Sequence, residues 1–255
     1  MSDDRVEAMK RVLVHGCIFA LLTVLTQLGG IAWLIALLFR RRALVFALAY
    51  LALWGAAIGL APLGNRVPLH CWNQGGLQMK AWVFCAANRN YMAPELLDAL
   101  KTASGRFEAE FPGSNIQVLD ANFPFLDGFP LLPHLSHDDG GKVDIALFYK
   151  DGNGNRRETS KSPIGYFAFE DGPTHCPKAW PSLRWDLHWL QPLWPDWPLD
   201  DARTKRVVEI LVADPRVKKL FIEPHLASRL DLTNSKIRFQ GCRAARHDDH
   251  IHLQI

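Results

Sequence analysis

The sequence predicts an α+β protein: a small antiparallel sheet with flanking helices, preceded by a two-helix transmembrane hairpin. Three observations predict it. Two long N-terminal runs, Val12 to Phe39 and Ala43 to Leu63, contain no Asp, Glu, Lys or Arg. Beyond them, helical and alternating apolar patterns follow one another in mixed order with hairpin-like turns between them, the mark of α+β architecture. The chain then ends on Ile251-His-Leu-Gln-Ile255, where apolar residues alternate as on a half-buried strand.

The runs set the domain boundaries. Each can cross a hydrocarbon core of ~30 Å, which takes ~20 helical residues. Residues 1–64 are therefore expected to be a membrane anchor with spans at about 12–39 and 43–63, and residues 65–255 a separate domain. A cleaved signal peptide is the alternative for the first run, but that run is longer than an ordinary signal core and a second span follows at once. Arg40, Arg41 and Arg42 alone separate the spans. Basic loops stay in the cytoplasm, which puts both termini outside; Arg5, Lys10 and Arg11 pull the other way.

Cys17 lies in the first span, while Cys71, Cys85, Cys176 and Cys242 belong to the domain. An even count suits an oxidising compartment and two disulfides. The expected pairing is Cys71–Cys85 with Cys176–Cys242, one of three connectivities; four buried thiols is the alternative. A formal charge of +3 is too small to imply nucleic acid. Membrane lipid is the partner the anchor implies.

Within the domain, Asn65 to Gln74 is a linker. Met92 to Phe111 reads as an amphipathic helix, with Pro94 in its first turn and Leu96, Leu97, Leu100 and Phe107 at helical spacing. Asn115 to Leu119 is a strand, Phe123 to Pro133 a packed loop, and Val143 to Tyr149 an alternating strand. Asp151 to Asn155 is a hairpin turn, with Ile164 to Phe169 as the returning strand. Trp180, Trp185, Trp189, Trp194 and Trp197 punctuate a proline-broken tract, most simply core aromatics. Asp200 to Ala213 is a helix, Val217 to Ile222 a strand, His225 to Leu230 a short helix and Lys236 to Gln240 a strand. His225, Lys161, Arg156, Arg157, Glu170 and Asp171 read as solvated surface.

Two segments carry the chemistry. The first is His134-Leu-Ser136-His137-Asp-Asp-Gly140-Gly-Lys142-Val-Asp144, and the second His247-Asp248-Asp249-His250-Ile-His252. Gly140 and Gly141 permit a reversal that folds His137 back over Asp144 at the start of a strand. On the last strand His250 and His252 share a face. Two histidines and an aspartate from separate segments make the ligand set of a catalytic zinc, with one position left for water.

Ser136-His137-x-x-Gly140-x-x-Val143-Asp144 followed late by His250-x-His252 resembles the lysostaphin, D-Ala-D-Ala carboxypeptidase and hedgehog-type metallopeptidase superfamily. The closer likeness is to the penicillin-insensitive murein endopeptidases, because His134 and His247 each stand three residues before the paired motif residues. Phe221-Ile-Glu-Pro224 is similar too, and the likeness spans roughly Tyr91 to Ile255. It implies His137, Asp144 and His252 as Zn2+ ligands and His250 as catalytic base. His247 then aids catalysis, while His134, Ser136 and Asp248 line or support the site. The implied partner is a peptidoglycan peptide, and the implied place a bacterial cytoplasmic membrane with the domain outside. Lys142 departs from the relatives' pattern, and no residue is assigned to the arginine with which some relatives hold a substrate carboxylate, Arg89 being available but not chosen, so murein endopeptidase and D,D-carboxypeptidase both stay open. The rival expectation is a degenerate member that keeps the fold and binds cell wall or a membrane partner.

Overall fold

The computed structural model describes residues 3–72, 75–151, 153–155, 160–177, 182–184 and 187–255. Its N-terminal part forms α1 (Asp3–Thr26), α2 (Gly29–Leu37) and α3 (Arg42–Leu60). Two helical stretches, Asp4–Thr26 and Arg42–Gly64, are long and apolar enough to cross a membrane. The first predicted span, 12–39, is divided. Gln27 takes a left-handed φ of 63°, and α2 folds back along α1. The Thr26 hydroxyl accepts from the Gly29 N–H at 2.8 Å and so closes the reversal. Gly30 lies against Thr23 and Phe19 with no room for a Cβ. Trp33 then stacks near His15, 5.7 Å between ring centroids. The glycine pair that the sequence permits inside a span is what lets the two backbones approach.

Trp33 also meets Phe46 of α3 at 6.0 Å, so α3 runs parallel to α1. α2 thus leads the chain back from the Gln27 reversal before α3 begins at Arg42.

The domain follows as β1 (Val67–Pro68), β2 (Leu77–Met79), α4 (Trp82–Ala86), β3 (Tyr91–Met92), α5 (Pro94–Glu110), β4 (Ile116–Val118) and β5 (Lys142–Ala146). Next come β6 (Lys150–Asp151), β7 (Gly154–Asn155), α6 (Asp201–Ala213), β8 (Lys219–Phe221), α7 (Pro224–Arg229), β9 (Ile237–Arg238) and β10 (His250–Gln254). One sheet has the order β2-β4-β5-β10-β8-β9. Its centre is antiparallel as expected, but β2–β4 and β8–β9 are parallel. The reason is connectivity: α5 lies between β2 and β4, and α7 between β8 and β9, and a crossover through a helix returns the chain in the same direction.

Pro94 starts α5, and the Asp200 carboxylate caps α6 by accepting from the Arg203 N–H. The buried faces of both helices pack with Val143, Ile145, Ile251 and Leu253 in one core. Those strand residues alternate with Asp144, His250 and His252, so the same alternation that builds the core sends the polar side chains to the opposite face.

Two strands differ from expectation. Val143 to Tyr149 leaves the ladder after Ala146, because the Phe148 N–H turns to the Thr204 hydroxyl. Ile164 to Phe169 is irregular: Gly165 and Phe167 have φ of 88° and 67°, and the Phe167 N–H is taken by the Asp249 carboxylate at 2.6 Å. Part of the Asn65–Gln74 linker, part of the 151–155 turn, Arg156, Arg157, Trp180 and Trp185 lie outside the described residues.

Cys71–Cys85 and Cys176–Cys242 are disulfides, their partners 14 and 66 positions apart in sequence. Cys17 is free. Chain-entropy arithmetic for a loop of that larger size gives about 4 kcal/mol of stabilisation. Denaturant unfolding of the Cys176→Ala, Cys242→Ala double variant is expected to show a loss of that order; an unchanged midpoint would rule it out.

Candidate metal centre

β5 and β10 pair so that His252 lies opposite Asp144 and His250 opposite Ala146. Facing residues of an antiparallel pair hold their Cβ atoms about 5 Å apart, which brings a carboxylate and an imidazole together across the ladder. The third group arrives from the loop before β5. Gly140 has φ of 82°, and its N–H is held by the Asn122 side chain at 3.0 Å. The reversal carries His137 back over β5, where its Nδ1 bonds the Ala121 carbonyl at 2.6 Å.

The result is a triangle of donor atoms. His137 Nε2 is 3.0 Å from His252 Nδ1 and 3.2 Å from Asp144 Oδ1, and His252 Nδ1 is 2.8 Å from that same oxygen. His134 Nδ1 lies 2.8 Å from Asp144 Oδ2, and His134, His137 and Asp144 form a group with donors within 4.8 Å of one another that could hold a metal ion. Two overlapping sets thus share His137 and Asp144, one completed by His134 and one by His252.

His250 sits beside them, its Nε2 3.7 Å from Asp144 Oδ1 and its Nδ1 bonded to Asp249 at 2.5 Å. The His247 ring lies 4.9 Å from that of His250 and 5.6 Å from that of His252. Ser136 is half-buried, and among the described residues no hydrogen bond joins it to the cluster. Asp248 is buried and paired with Arg246, with the His225 ring 3.9 Å away and no bond to a histidine of the cluster among the described residues. Asp249 takes the supporting role instead.

Several neighbours were not foreseeable from the motifs. Tyr166 donates to Asp144 Oδ2 at 2.7 Å, and Asp120 lies 3.4 Å from His134 while receiving a bidentate Arg89 at 2.5 and 2.7 Å. Arg89 is therefore committed to the site's own support. Lys142 is tied to Asp138 and Asp139, away from the ligands. Residues expected to be solvated are not all so: Lys161 pairs with the buried Glu170 at 2.6 Å, and the His225 ring is covered, close to Gly172.

Seven titratable groups, Asp120, Asp144 and five histidines, converge with almost no access to water. Burial pushes the Asp144 carboxyl up, but the imidazoles of His137, His250 and His134 outweigh it and hold it well below the usual range. Burial works against charging His134, yet Asp144 and Asp120 carry it to about 10. Burial depresses His252 to about 4, and His247 falls well below the ordinary histidine value for the same reason, helped by His250. His250 moves up, its two carboxylate neighbours overcoming burial. Burial also lifts Asp248, to about 6.

A cavity of about 40 Å³ adjoins the cluster, with His134, Tyr166, Phe169, Arg246, Asp249 and His250 in its wall. Gly140 is where the loop is least tolerant: a Cβ there would come within 2.5 Å of the Arg66 guanidinium carbon. Gly140→Ala is expected to cost about 1–3 kcal/mol, from the left-handed backbone and the clash together. Thermal denaturation reads the loss, and an unshifted midpoint would contradict it.

No protein-family model matches the chain, and no curated protein matches it.

Proposed function

We propose that the protein is a membrane-anchored, zinc-dependent metallopeptidase. Its domain lies outside the cytoplasmic membrane of a bacterium and hydrolyses amide bonds in peptidoglycan cross-links or stem peptides. The observation that supports it is the triangle of His137, Asp144 and His252, with edges of 2.8 to 3.2 Å. Donors about 2.0–2.1 Å from one tetrahedral zinc stand about 3.3 Å apart, so the ion fits these side chains after a shift of a few tenths of an ångström. Nitrogen and carboxylate donors also suit zinc.

Between the overlapping sets, the chemistry favours His252 over His134. A ligand must offer a neutral nitrogen. Burial pushes His252 toward its neutral form, whereas Asp144 and Asp120 draw a proton onto His134.

Bound zinc would lower the pKa of a coordinated water to ~7 and polarise the scissile carbonyl. The chain's own residues supply the rest. Asp249 fixes the orientation of the His250 ring through Nδ1, leaving Nε2 to take a proton from the attacking water and return it to the leaving amine. Tyr166, by donating to Oδ2, leaves Oδ1 of Asp144 beside His137 and His252, the residues that would hold the ion. His247, held neutral, can donate a hydrogen bond to the developing oxyanion. The peptidoglycan substrate rests on the motif likeness.

One observation favours a second reading, a metal-holding domain without turnover: the cavity beside His250 is far smaller than an ordinary ligand pocket of ~300 Å³ or more. Zinc analysis of the full chain together with mass spectrometry of digested muropeptides separates the two. About one zinc per chain, as a single three-ligand site requires, with new cleavage products supports the peptidase. Zinc without products supports the binding domain, and no zinc refutes both.

A further inference from the structure

We infer that the domain is seated in the outer leaflet of the bilayer, with α4 and Leu126 as its lipid-facing surface. This rests on α1 and α3 crossing the membrane and is independent of the metal. Depth along the span is what points to it. α3 has 19 residues, about 28 Å at 1.5 Å per residue, close to the hydrocarbon thickness. Its Tyr50 hydroxyl donates to the Ala86 carbonyl at 2.5 Å, and its Trp54 indole N–H to the Cys85 carbonyl at 2.9 Å. Those residues lie about 15 and about 9 Å short of the helix's outer end. The C-terminal end of α4 is thus bonded to the span well inside its length.

Three further bonds report the same level. The Asn88 side chain donates to the Thr26 carbonyl at 3.1 Å, at the end of α1. Gln27 then clasps the backbone of Phe125 from both sides, Nε2 to its carbonyl at 2.6 Å and Oε1 from its N–H at 2.9 Å. In hydrocarbon an unpaired backbone group costs several kcal/mol; here Tyr50, Trp54 and Gln27 satisfy backbone groups of the domain, and Asn88 satisfies one at the end of α1.

What the same surface presents outward is apolar. Trp82 is 74% exposed, Val83 44%, Leu126 68% and Trp72 73%, the last held next to α4 by the Cys71–Cys85 bridge. Ala81 to Ala87 contains no charge. Large apolar groups gathered at one level, continuous with a membrane helix, match acyl chains and the interfacial zone that tryptophan prefers.

The full chain reconstituted in phosphatidylcholine–phosphatidylglycerol vesicles tests this. The emission of Trp82 is read as parent minus Trp82→Phe, in vesicles with plain or brominated acyl chains. Bromine is expected to lower that emission at least about twofold, as for an indole at the headgroup–acyl boundary. Equal emission in the two lipids from a chain that floats with the vesicles overturns the seat alone. A parent chain that does not float overturns the spanning reading and the seat with it. Should Trp82→Phe fail to fold, Trp72→Phe measured in the same way separates the same outcomes.

Discussion

His250→Ala is expected to lower kcat on a peptide substrate by about 10²–10⁴-fold, the range that a positioned general acid–base supplies. Zinc content should stay near that of the parent. The split follows from the geometry. The His250 ring is bonded to Asp249 on one side, and its Nε2 stands 3.7 Å from Asp144, beyond the 2.8 to 3.2 Å triangle of the other three donors. Removing it takes away the proton acceptor and leaves the ligands. Asp249→Asn should do less, because it frees the ring's orientation without deleting it. If His250→Ala turned over at the parental rate, the base is elsewhere; if it lost its zinc, His250 is a ligand and the roles need redrawing.

Asp144→Ala carries the second large effect, on binding and stability together. Asp144 neighbours His134, His137, His250 and His252 and accepts from Tyr166. Deleting one partner of a buried charge network costs about 3–5 kcal/mol. Zinc content should fall to background. The pH response gives a separate signature in metal-free protein. His134 titrates near 10 in the fold against 6.5 ordinarily. The folded state binds the proton more tightly, so this contribution is complete below pH 6.5 and disappears as pH climbs toward 10. His250 is shifted the same way. Metal-free parent should therefore lose stability between pH 6.5 and 10, and Asp144→Ala should lose less over that interval. Denaturant midpoints across the range decide it; a steeper loss in the variant would contradict the assignment.

The motif residues were legible because alternation and glycine placement are local properties. His250 and His252 two apart, and Gly140 before Asp144, each specify a geometry that the strands then realise. The helices α5 and α6 were legible for the same reason, through Pro94 and Asp200 at their starts. The disulfide pairing was expected and is present.

What sequence could not show depends on distant partners. Asp120 ends a strand like many aspartates, and only the fold sets it against His134 and Arg89. Tyr166 sits in a segment whose alternation reads as a strand, yet left-handed residues at 165 and 167 turn it into a loop across the site. The parallel edges of the sheet follow from where α5 and α7 cross, which strand periodicity does not encode. Hydropathy saw one long run to Phe39, because Gln27 and two glycines weigh little in such a sum. The reversal there instead depends on the fit of Gly30 against Thr23.

The proposed chemistry requires His137, Asp144 and His252 to hold one ion between them. Anomalous diffraction at the zinc edge, from zinc-loaded crystals, tests that requirement. A single peak is expected about 2.0–2.2 Å from His137 Nε2, Asp144 Oδ1 and His252 Nδ1. A peak bound through His134 with His252 left out, or no peak at the cluster, would contradict it.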